Sequence, residues 1–348
     1  MFSIKNSSND LDKDLWNDAL HENPFLDYDF LKSFNDSQKG VGHWFIYSEK
    51  IRLYAHTFSL SFEKSIRYTP FAVLSGFLKL VNINVIYLTN SFLTSIPLFS
   101  SATEIKLDNI LLKIKNYYNY KIAIIPDFLF NQSQLSNAIK VEVDSEMILT
   151  IDSKWKDLND YKLALKTKYR KKINKIQEKS SEINVKLLSV EDYDKYKLEI
   201  GRLFENIFFD SKFSGPLLDT EIFKQLILIG KLRLDGYFLN DDLVAFSTDI
   251  DFNNDLYSYF VGFDKKLNKS HDLYARILLE QINKAIQFNK SNLVLGRTAN
   301  EFKSNFGAAP KKSYIYIYIR NRFWSILLSP IITRLKIDNW KQRRPFKN

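Results

Sequence analysis

Apolar and polar positions recur along this chain in two rounds of a similar pattern. In the first round His43-Trp44-Phe45-Ile46-Tyr47 and Ile51-Arg52-Leu53-Tyr54-Ala55 flank the polar Ser48-Glu49-Lys50, which predicts a β-hairpin. Ahead of it, Asn23-Pro24-Phe25-Leu26 reads as a turn leading into a helix through Asp29–Phe34. Behind it come a strand at Val85–Leu88, a helix across Asp108–Tyr118 and a strand at Lys121–Ile125. The apolar stretch Phe71–Phe99 is broken by Lys79, Asn82, Asn84, Asn90 and Pro97. A spanning helix needs about 20 mostly apolar residues, so this stretch predicts buried strands and a helix.

The second round opens with Gly236–Leu239 and Leu243–Phe246 around Asn240-Asp241-Asp242, again a hairpin. A longer strand follows at Asp255–Asp264. His271–Asn289 then places Leu273, Ile277, Leu278, Ile282, Ala285 and Ile286 on one helical face. Asn292–Gly296 reads as a short buried strand and Lys311–Arg320 as an alternating final one. Between the rounds, Lys162–Lys179 predicts one basic helix, with Leu165, Tyr169, Ile173 and Ile176 at helical spacing and the rest mostly Lys and Arg. Its excess of positive charge points to anion contact as much as to a solvated face.

Composition narrows the chemistry. With 348 residues the chain is long enough for two domains, and 45% hydrophobic against 26% charged residues is ordinary for a folded protein. Cysteine is absent from the sequence, which excludes disulfides, thiolate metal sites and a cysteine acyl intermediate. Met1–Asp14 is polar and acidic rather than basic and then apolar, so a secretory signal is not expected and the cytoplasm is. The net charge of +10 predicts an anionic partner: nucleic acid, a phosphorylated carrier or an acidic membrane surface. The chain carries no nucleophile elbow, no P-loop, no Gly-x-Gly-x-x-Gly after a strand and no paired-histidine zinc spacing; His21, His43, His56 and His271 are scattered, and no metal is expected.

Several segments carry a family likeness. They are Tyr257-Ser258-Tyr259-Phe260-Val261-Gly262-Phe263-Asp264, the helix start His271-Asp272-Leu273-Tyr274, and Gly296–Gly307 with its Phe302-Lys303-x-x-Phe306-Gly307 ending. Tyr169-Arg170 on the basic helix and the Asn23-Pro24-Phe25 opening fit in the same order. Together they resemble the GNAT-type acyltransferases and, more narrowly, their FemAB-like branch. The resemblance implies an α/β (α+β) fold of two tandem GNAT-like domains, each a mixed, mostly antiparallel sheet flanked by helices. The expected divisions are 1–150, 151–320 and a basic, aromatic tail at 321–348.

The resemblance also implies transfer of an acyl or aminoacyl group from an activated carrier to an amine acceptor, in cell-envelope biosynthesis on a peptidoglycan precursor or a lipid. No bound cofactor is implied; the donor could be an acyl carrier protein, an aminoacyl-tRNA or an acyl-CoA. Acetyl-CoA enzymes of this superfamily carry a glycine-rich pyrophosphate loop, and here that loop is Lys265-Lys266-Leu267-Asn268-Lys269-Ser270, without glycine. On the same basis Lys303, Asp249 and Tyr259 are candidate catalytic residues, with a backbone amide in Tyr259–Gly262 facing the developing oxyanion. Tyr169, Arg170, Lys171, His271, Tyr274 and Arg297 are candidates for holding substrate or carrier, and the helix start at Ser270-His271-Asp272 could receive a phosphate.

Each candidate has a plainer alternative. Lys303 is otherwise a surface lysine, Arg297 an ion-pair partner of Asp249 or Glu301, His271 part of a helix cap, and Asp249 an exposed strand-end carboxylate. Tyr257 and Tyr259 share one face of their strand. The competing function is a basic, aromatic-rich protein that binds RNA or a membrane surface without catalysis. In the tail, Phe323–Ile332 is expected to pack back as a last helix broken at Pro330. Arg334, Lys336, Trp340, Lys341, Arg343, Arg344 and Lys347 are expected to make peripheral contact with the inner membrane surface, beside a lipid-linked acceptor.

Overall fold

Capped amphipathic helices and hairpin strands build two units in the computed structural model, which describes residues 2–18, 23–61, 82–93, 96–130, 135, 137–209, 215–334, 337 and 339–347. The first strands and helices are β1 (Ser3–Lys5), α1 (Lys13–Asn17), α2 (Tyr28–Ser37), β2 (Gly42–Ser48), β3 (Ile51–Ser61), β4 (Asn82–Tyr87), β5 (Phe99–Ser101), α3 (Leu107–Ile114), β6 (Ile122–Pro126) and α4 (Asp127–Phe130). Then follow β7 (Ile139–Thr150), α5 (Leu158–Ala164), α6 (Thr167–Lys179), β8 (Asn184–Leu187), α7 (Val190–Phe208), α8 (Glu221–Leu228), β9 (Arg233–Leu239), β10 (Asp242–Phe252) and β11 (Asp255–Phe263). The chain ends with α9 (Lys265–His271), α10 (Leu273–Gln287), β12 (Asn292–Val294), α11 (Asn300–Ser304), β13 (Ala309–Ile319) and α12 (Arg322–Ile332).

Unit 1 comprises Met1–Val143, Phe213–Asp219 and Ser313–Ile337, and unit 2 comprises Asp144–Lys212, Thr220–Lys312 and Asp338–Asn348. The boundaries expected at 150 and 320 are therefore displaced. Most of β13 belongs to the first unit, and the tail divides at Ile337. Of the apolar stretch Phe71–Phe99, residues 71–81 and 94–95 lie outside the described residues; β4 and the start of β5 come from the rest.

In unit 1 the strands run in the order β1-β2-β3-β4-β6-β13, with β5 on β3. All the pairings are antiparallel except β4 with β6. Asp27 caps α2 by accepting from the amides of Asp29 and Phe30. Leu107, Ile110, Leu111 and Ile114 of α3 follow helical spacing and are buried against Ile46, Leu53, Ile86, Ala123 and Ile125 of the sheet. The helix ends four residues before the expected Tyr118.

β2 and β3 also enclose a polar chain. His43 lies opposite His56, and the Tyr54 hydroxyl bridges them, 2.5 Å from His43 Nδ1 and 3.0 Å from His56 Nε2. The outer nitrogens meet the Gln38 carbonyl and the Ser91 hydroxyl, both at 3.0 Å. Burial holds His43 down to about 4 and His56 well below its ordinary value, where the neighbouring His43 lowers it further. The folded state thus excludes protons that the unfolded chain takes up below about pH 6.5. Stability should be full above that pH and fall as pH drops toward 4, by roughly 2 kcal/mol at pH 5 for His43, with His56 adding a loss in the same direction. Denaturant titrations at pH 7 and 5 test this; the double variant His43→Gln, His56→Gln should show a flatter pH dependence.

In unit 2 the order is β7-β12-β11-β10-β9-β8, mixed because β11 and β12 run parallel. Helix α10 buries Leu278, Leu279, Ile282 and Ile286 against Met147, Leu149, Leu256 and Leu293. Ser189 and Asp192 form a reciprocal capping box at the start of α7. The basic segment is two helices rather than one: Leu165 is extended between α5 and α6 and bridges to Phe346. Its charged face is on α6, where Lys168 and Lys171 are exposed while Ile173 and Ile176 are buried.

The tail makes contacts that the sequence does not announce. Its basic end is docked on unit 2: Trp340 and Phe346 pack on the core, Pro345 accepts from the Lys166 amide at 2.8 Å, and the Arg343 side chain binds Glu301. Lys336 lies outside the described residues. The apolar stretch forms α12 with Pro330 inside it, and Phe323, Trp324, Ile326 and Leu327 are exposed. Among the described residues no helix is long and apolar enough to cross a membrane.

Candidate active site

Unit 2 contains a split sheet. β11 pairs with β12 only at Asp255↔Asn292, Leu256↔Leu293 and Tyr257↔Val294. Beyond Val294 the chain stays with β7, since Leu295 donates to Met147 and Met147 to Gly296 through their backbones. β11 remains with β10 instead, through a bulge between Ser247↔Val261 and Asp249↔Ser258 that sets Tyr259 and Phe260 opposite Thr248. The Thr248 hydroxyl closes the bulge, accepting from the Phe260 amide at 2.8 Å and donating to its carbonyl at 3.0 Å. The Phe260 amide, one of the four in Tyr259–Gly262 expected to face an oxyanion, is therefore occupied. Across the bulge Tyr259 and Phe260 have ring centroids 4.4 Å apart, and both rings meet Phe223. At Gly262 a Cβ would stand 2.7 Å from the Leu203 backbone, so α7 presses directly on the strand there.

At the mouth of the split the chain turns through left-handed conformations at Gly296, Thr298 and Ala299, with φ of 68°, 69° and 49°. For Thr298 and Ala299 this is a costly backbone, of the kind held in place at functional sites. It aims the carbonyls of Gly296 and Arg297 at Lys303 Nζ, at 3.2 and 2.7 Å. Lys303 is only 4% exposed, not the surface lysine its segment suggested. Burial lowers its pKa to about 7, against the opposing pull of Asp144 and Glu146 on β7. Burial likewise raises the Tyr257 phenol, with the negative charge of Glu146 adding to it. Lys303, Glu146 and Tyr257 thus share one electrostatic environment. The Oε1 of Glu146, the Nε of Arg297, the Oδ1 of Asn300 and the Tyr259 hydroxyl are buried and lack a hydrogen-bond partner among the described residues. Buried polar atoms left open in a sheet split are suited to meeting a polar ligand.

Packing explains the rest of the Phe302–Gly307 segment. Phe302 stacks on Tyr274 at 5.3 Å, Phe306 is fully buried, and at Gly307 (φ 97°) a Cβ would collide with the Phe346 ring. Arg343 and Lys341 hold Glu301, and the Arg343 amide donates to Ser304 at 3.0 Å, so the chain end braces the helix that carries Lys303.

The other candidates have varied surroundings. Arg297 pairs with neither Asp249 nor Glu301. Asp249 is fully buried rather than exposed, bonded by Arg233 Nε at 2.6 Å and Lys284 Nζ at 2.8 Å. Tyr274 is stacked between Phe263 and Phe302, and burial raises its phenol. Tyr169 packs partly into the core, Lys171 is exposed, and Arg170 is half-buried. His271 ends α9 with its Nδ1 2.8 Å from the Ser270 hydroxyl. The segment Lys265–Ser270 is helical, not a loop, capped by Asp264. At the next helix start, where a phosphate was expected, Asn268 accepts from the Tyr274 amide at 2.9 Å, and the Asp272 carboxylate pairs with Lys179 at 3.3 Å. Glu146 escaped the sequence reading. Its signal was the alternation Glu142, Asp144, Glu146 leading into the apolar Met147-Ile148-Leu149, which sets acids on one face of a strand bound for the core.

No family model matches the chain, and no curated protein matches it in sequence. Solved structures do. The C-terminal domain of a protein assigned as a lysylphosphatidylglycerol synthetase from Agrobacterium fabrum superposes with a TM-score of 0.53 at 8% identity, covering 94% of this chain and 96% of its own. FemX gives 0.51 at 10% identity, covering 94% and 100%. The chain has the FemAB-like tandem GNAT fold. A tandem GNAT protein of the clavulanic acid pathway agrees, with a TM-score of 0.50 at 8% identity and coverage of 92% and 99%. At such identities the likeness is one of fold, and within the GNAT fold the separating parallel strands are β11 and β12.

Proposed function

We propose that this chain transfers an acyl or aminoacyl group from an activated carrier to an amine acceptor, with unit 2 carrying the chemistry. The observation that carries the proposal is the buried Lys303, held by the carbonyls of Gly296 and Arg297 just past the point where β12 leaves β11, with the charges of Asp144 and Glu146 acting on it. As an ammonium, Lys303 gives two of its hydrogens to the carbonyls of Gly296 and Arg297 and keeps one for the reacting carbonyl oxygen. Glu146 takes the proton of the attacking amine at its open oxygen. The amine nitrogen bonds to the carbonyl carbon, the carbon–oxygen or carbon–sulfur bond to the carrier breaks, and the proton passes from Glu146 to the departing carrier. Without cysteine in the chain, direct transfer requires no thiol intermediate.

The donor we favour is an aminoacyl-tRNA or an acyl carrier protein over an acyl-CoA. The position of the glycine-rich loop is a capped helix, and at the start of α10 the Tyr274 amide is already taken by Asn268. The exposed Lys168 and Lys171 of α6, with the half-buried Arg170, offer cations for an anionic carrier. A cell-envelope acceptor, lipid or peptidoglycan precursor, is supported by the fold likeness to FemX and to a protein named for lysylphosphatidylglycerol.

Mass spectrometry of lipid and cell-wall extracts from cells with and without the gene tests this. A species heavier by one acyl or aminoacyl residue should appear only with the gene, and should disappear when Glu146 is changed to Gln. Identical extracts, together with purified protein that retains RNA without modifying it, would favour the non-catalytic binder.

A further inference from the structure

Helix α12 is amphipathic the wrong way round for a soluble surface. Ser325 is turned inward and nearly buried, with Leu328, Ser329 and Ile332 half-buried on the same side. The outward arc carries Phe323 at 68%, Trp324 at 50%, Ile326 at 68% and Leu327 at 52% exposure, with Pro330 among them. A surface helix ordinarily sets its apolar stripe toward the core, and a contiguous apolar arc left outside marks an interaction surface. Serines stabilise the inward side locally: the Ser329 hydroxyl donates to the Ser325 carbonyl at 2.5 Å.

The charges around the arc identify what covers it. From Lys311 through Ile337 the sequence contains no acidic residue, while Arg320 and Arg322 stand at the start of the helix and Arg334 just beyond its end. Arg322 and Arg334 are exposed. An apolar arc with Phe and Trp at one end, flanked by cations in a segment whose sequence has no acidic residue, matches the boundary of an anionic bilayer. There the rings and aliphatic side chains enter the acyl region and the guanidiniums meet phosphates. We infer that α12 is a membrane-docking helix, lying in the plane of an anionic lipid surface with Phe323, Ile326 and Leu327 inserted. This holds whether or not the chain transfers acyl groups, and it replaces the basic chain end, which is docked on unit 2, as the point of attachment.

Flotation of the full chain with vesicles of phosphatidylglycerol and phosphatidylcholine, against vesicles of phosphatidylcholine alone, tests the inference. The wild type should float with the anionic vesicles. The triple variant Phe323→Ser, Ile326→Ser, Leu327→Ser alters exposed positions, so its circular dichroism should be unchanged while vesicle binding falls by roughly tenfold or more. Arg322→Gln with Arg334→Gln should weaken binding to anionic vesicles by about fivefold per charge and leave the residual binding to phosphatidylcholine unaltered. The inference is overturned if the wild type fails to float, or if the triple variant floats equally well. It is also overturned if light scattering shows a wild-type dimer that the triple variant loses, since a second copy would then cover the arc.

Discussion

Replacing Lys303 with methionine should cut acyl transfer by about 100- to 1,000-fold, the cost of losing one oxyanion donor, while changing the melting temperature little at neutral pH. Two opposed effects make the stability change small. Burial holds the lysine near pKa 7 in the folded chain, so the unfolded chain binds more protons between about pH 7 and 10. The burden of burying the ammonium is thus greatest below pH 7 and fades as pH rises; methionine removes it. Against that, the carbonyls of Gly296 and Arg297 lose their donor, a loss of about 1–3 kcal/mol. The variant should therefore gain on the wild type as pH is lowered from 8 to 6. Catalysis should show the matching limb: wild-type kcat/KM falls as pH rises through about 7 and Lys303 loses the proton it donates. Turnover of the methionine variant within tenfold of wild type would remove Lys303 from the chemistry.

Much of this fold is visible in the sequence because hairpins and amphipathic helices are local. The alternation in His43–Ala55 and the stripe from Leu273 to Ile286 each declare their own element. The site is less visible because it is made by departures from local rules. The split depends on where β11 leaves β12, and the bulge at Tyr259-Phe260 is set by a hydroxyl on another strand, Thr248. Lys303 could be picked out by resemblance, but its burial depends on a left-handed turn at Thr298-Ala299 that neither residue type announces. Glu146 was hidden in a strand whose acids look like a solvated edge. The tail is less legible for a related reason. Cations and tryptophan suit a membrane, yet Trp340, Arg343 and Phe346 found partners on unit 2, and the apolar helix did not find a core.

Asp249→Ala should unfold unit 2 more readily by about 3–5 kcal/mol, lowering its melting temperature by on the order of 10 °C. The carboxylate is fully buried, and each oxygen holds a cation: Oδ1 the Nε of Arg233, Oδ2 the Nζ of Lys284. Lys284 is shared with Asp235, whose pKa burial raises while Lys284 opposes the rise. Removing Asp249 leaves Lys284 with Asp235 alone and Arg233 with only Asp251, 3.9 Å from its Nη1, around a fully buried cavity where the carboxylate stood. The aromatic ring of Phe288 over the Arg233 guanidinium offsets little of that loss. Asp249→Asn is the sharper variant, since it keeps the shape and removes only the charge. If the residue is structural, Asn should lower stability nearly as far as Ala, and the folded fraction at low temperature should retain its turnover. If Asp249 is instead the general base, the Asn variant should melt like the wild type and fail to transfer. Melting curves and single-turnover rates on the same preparation separate the two, and two occupied carboxylate oxygens favour the first outcome.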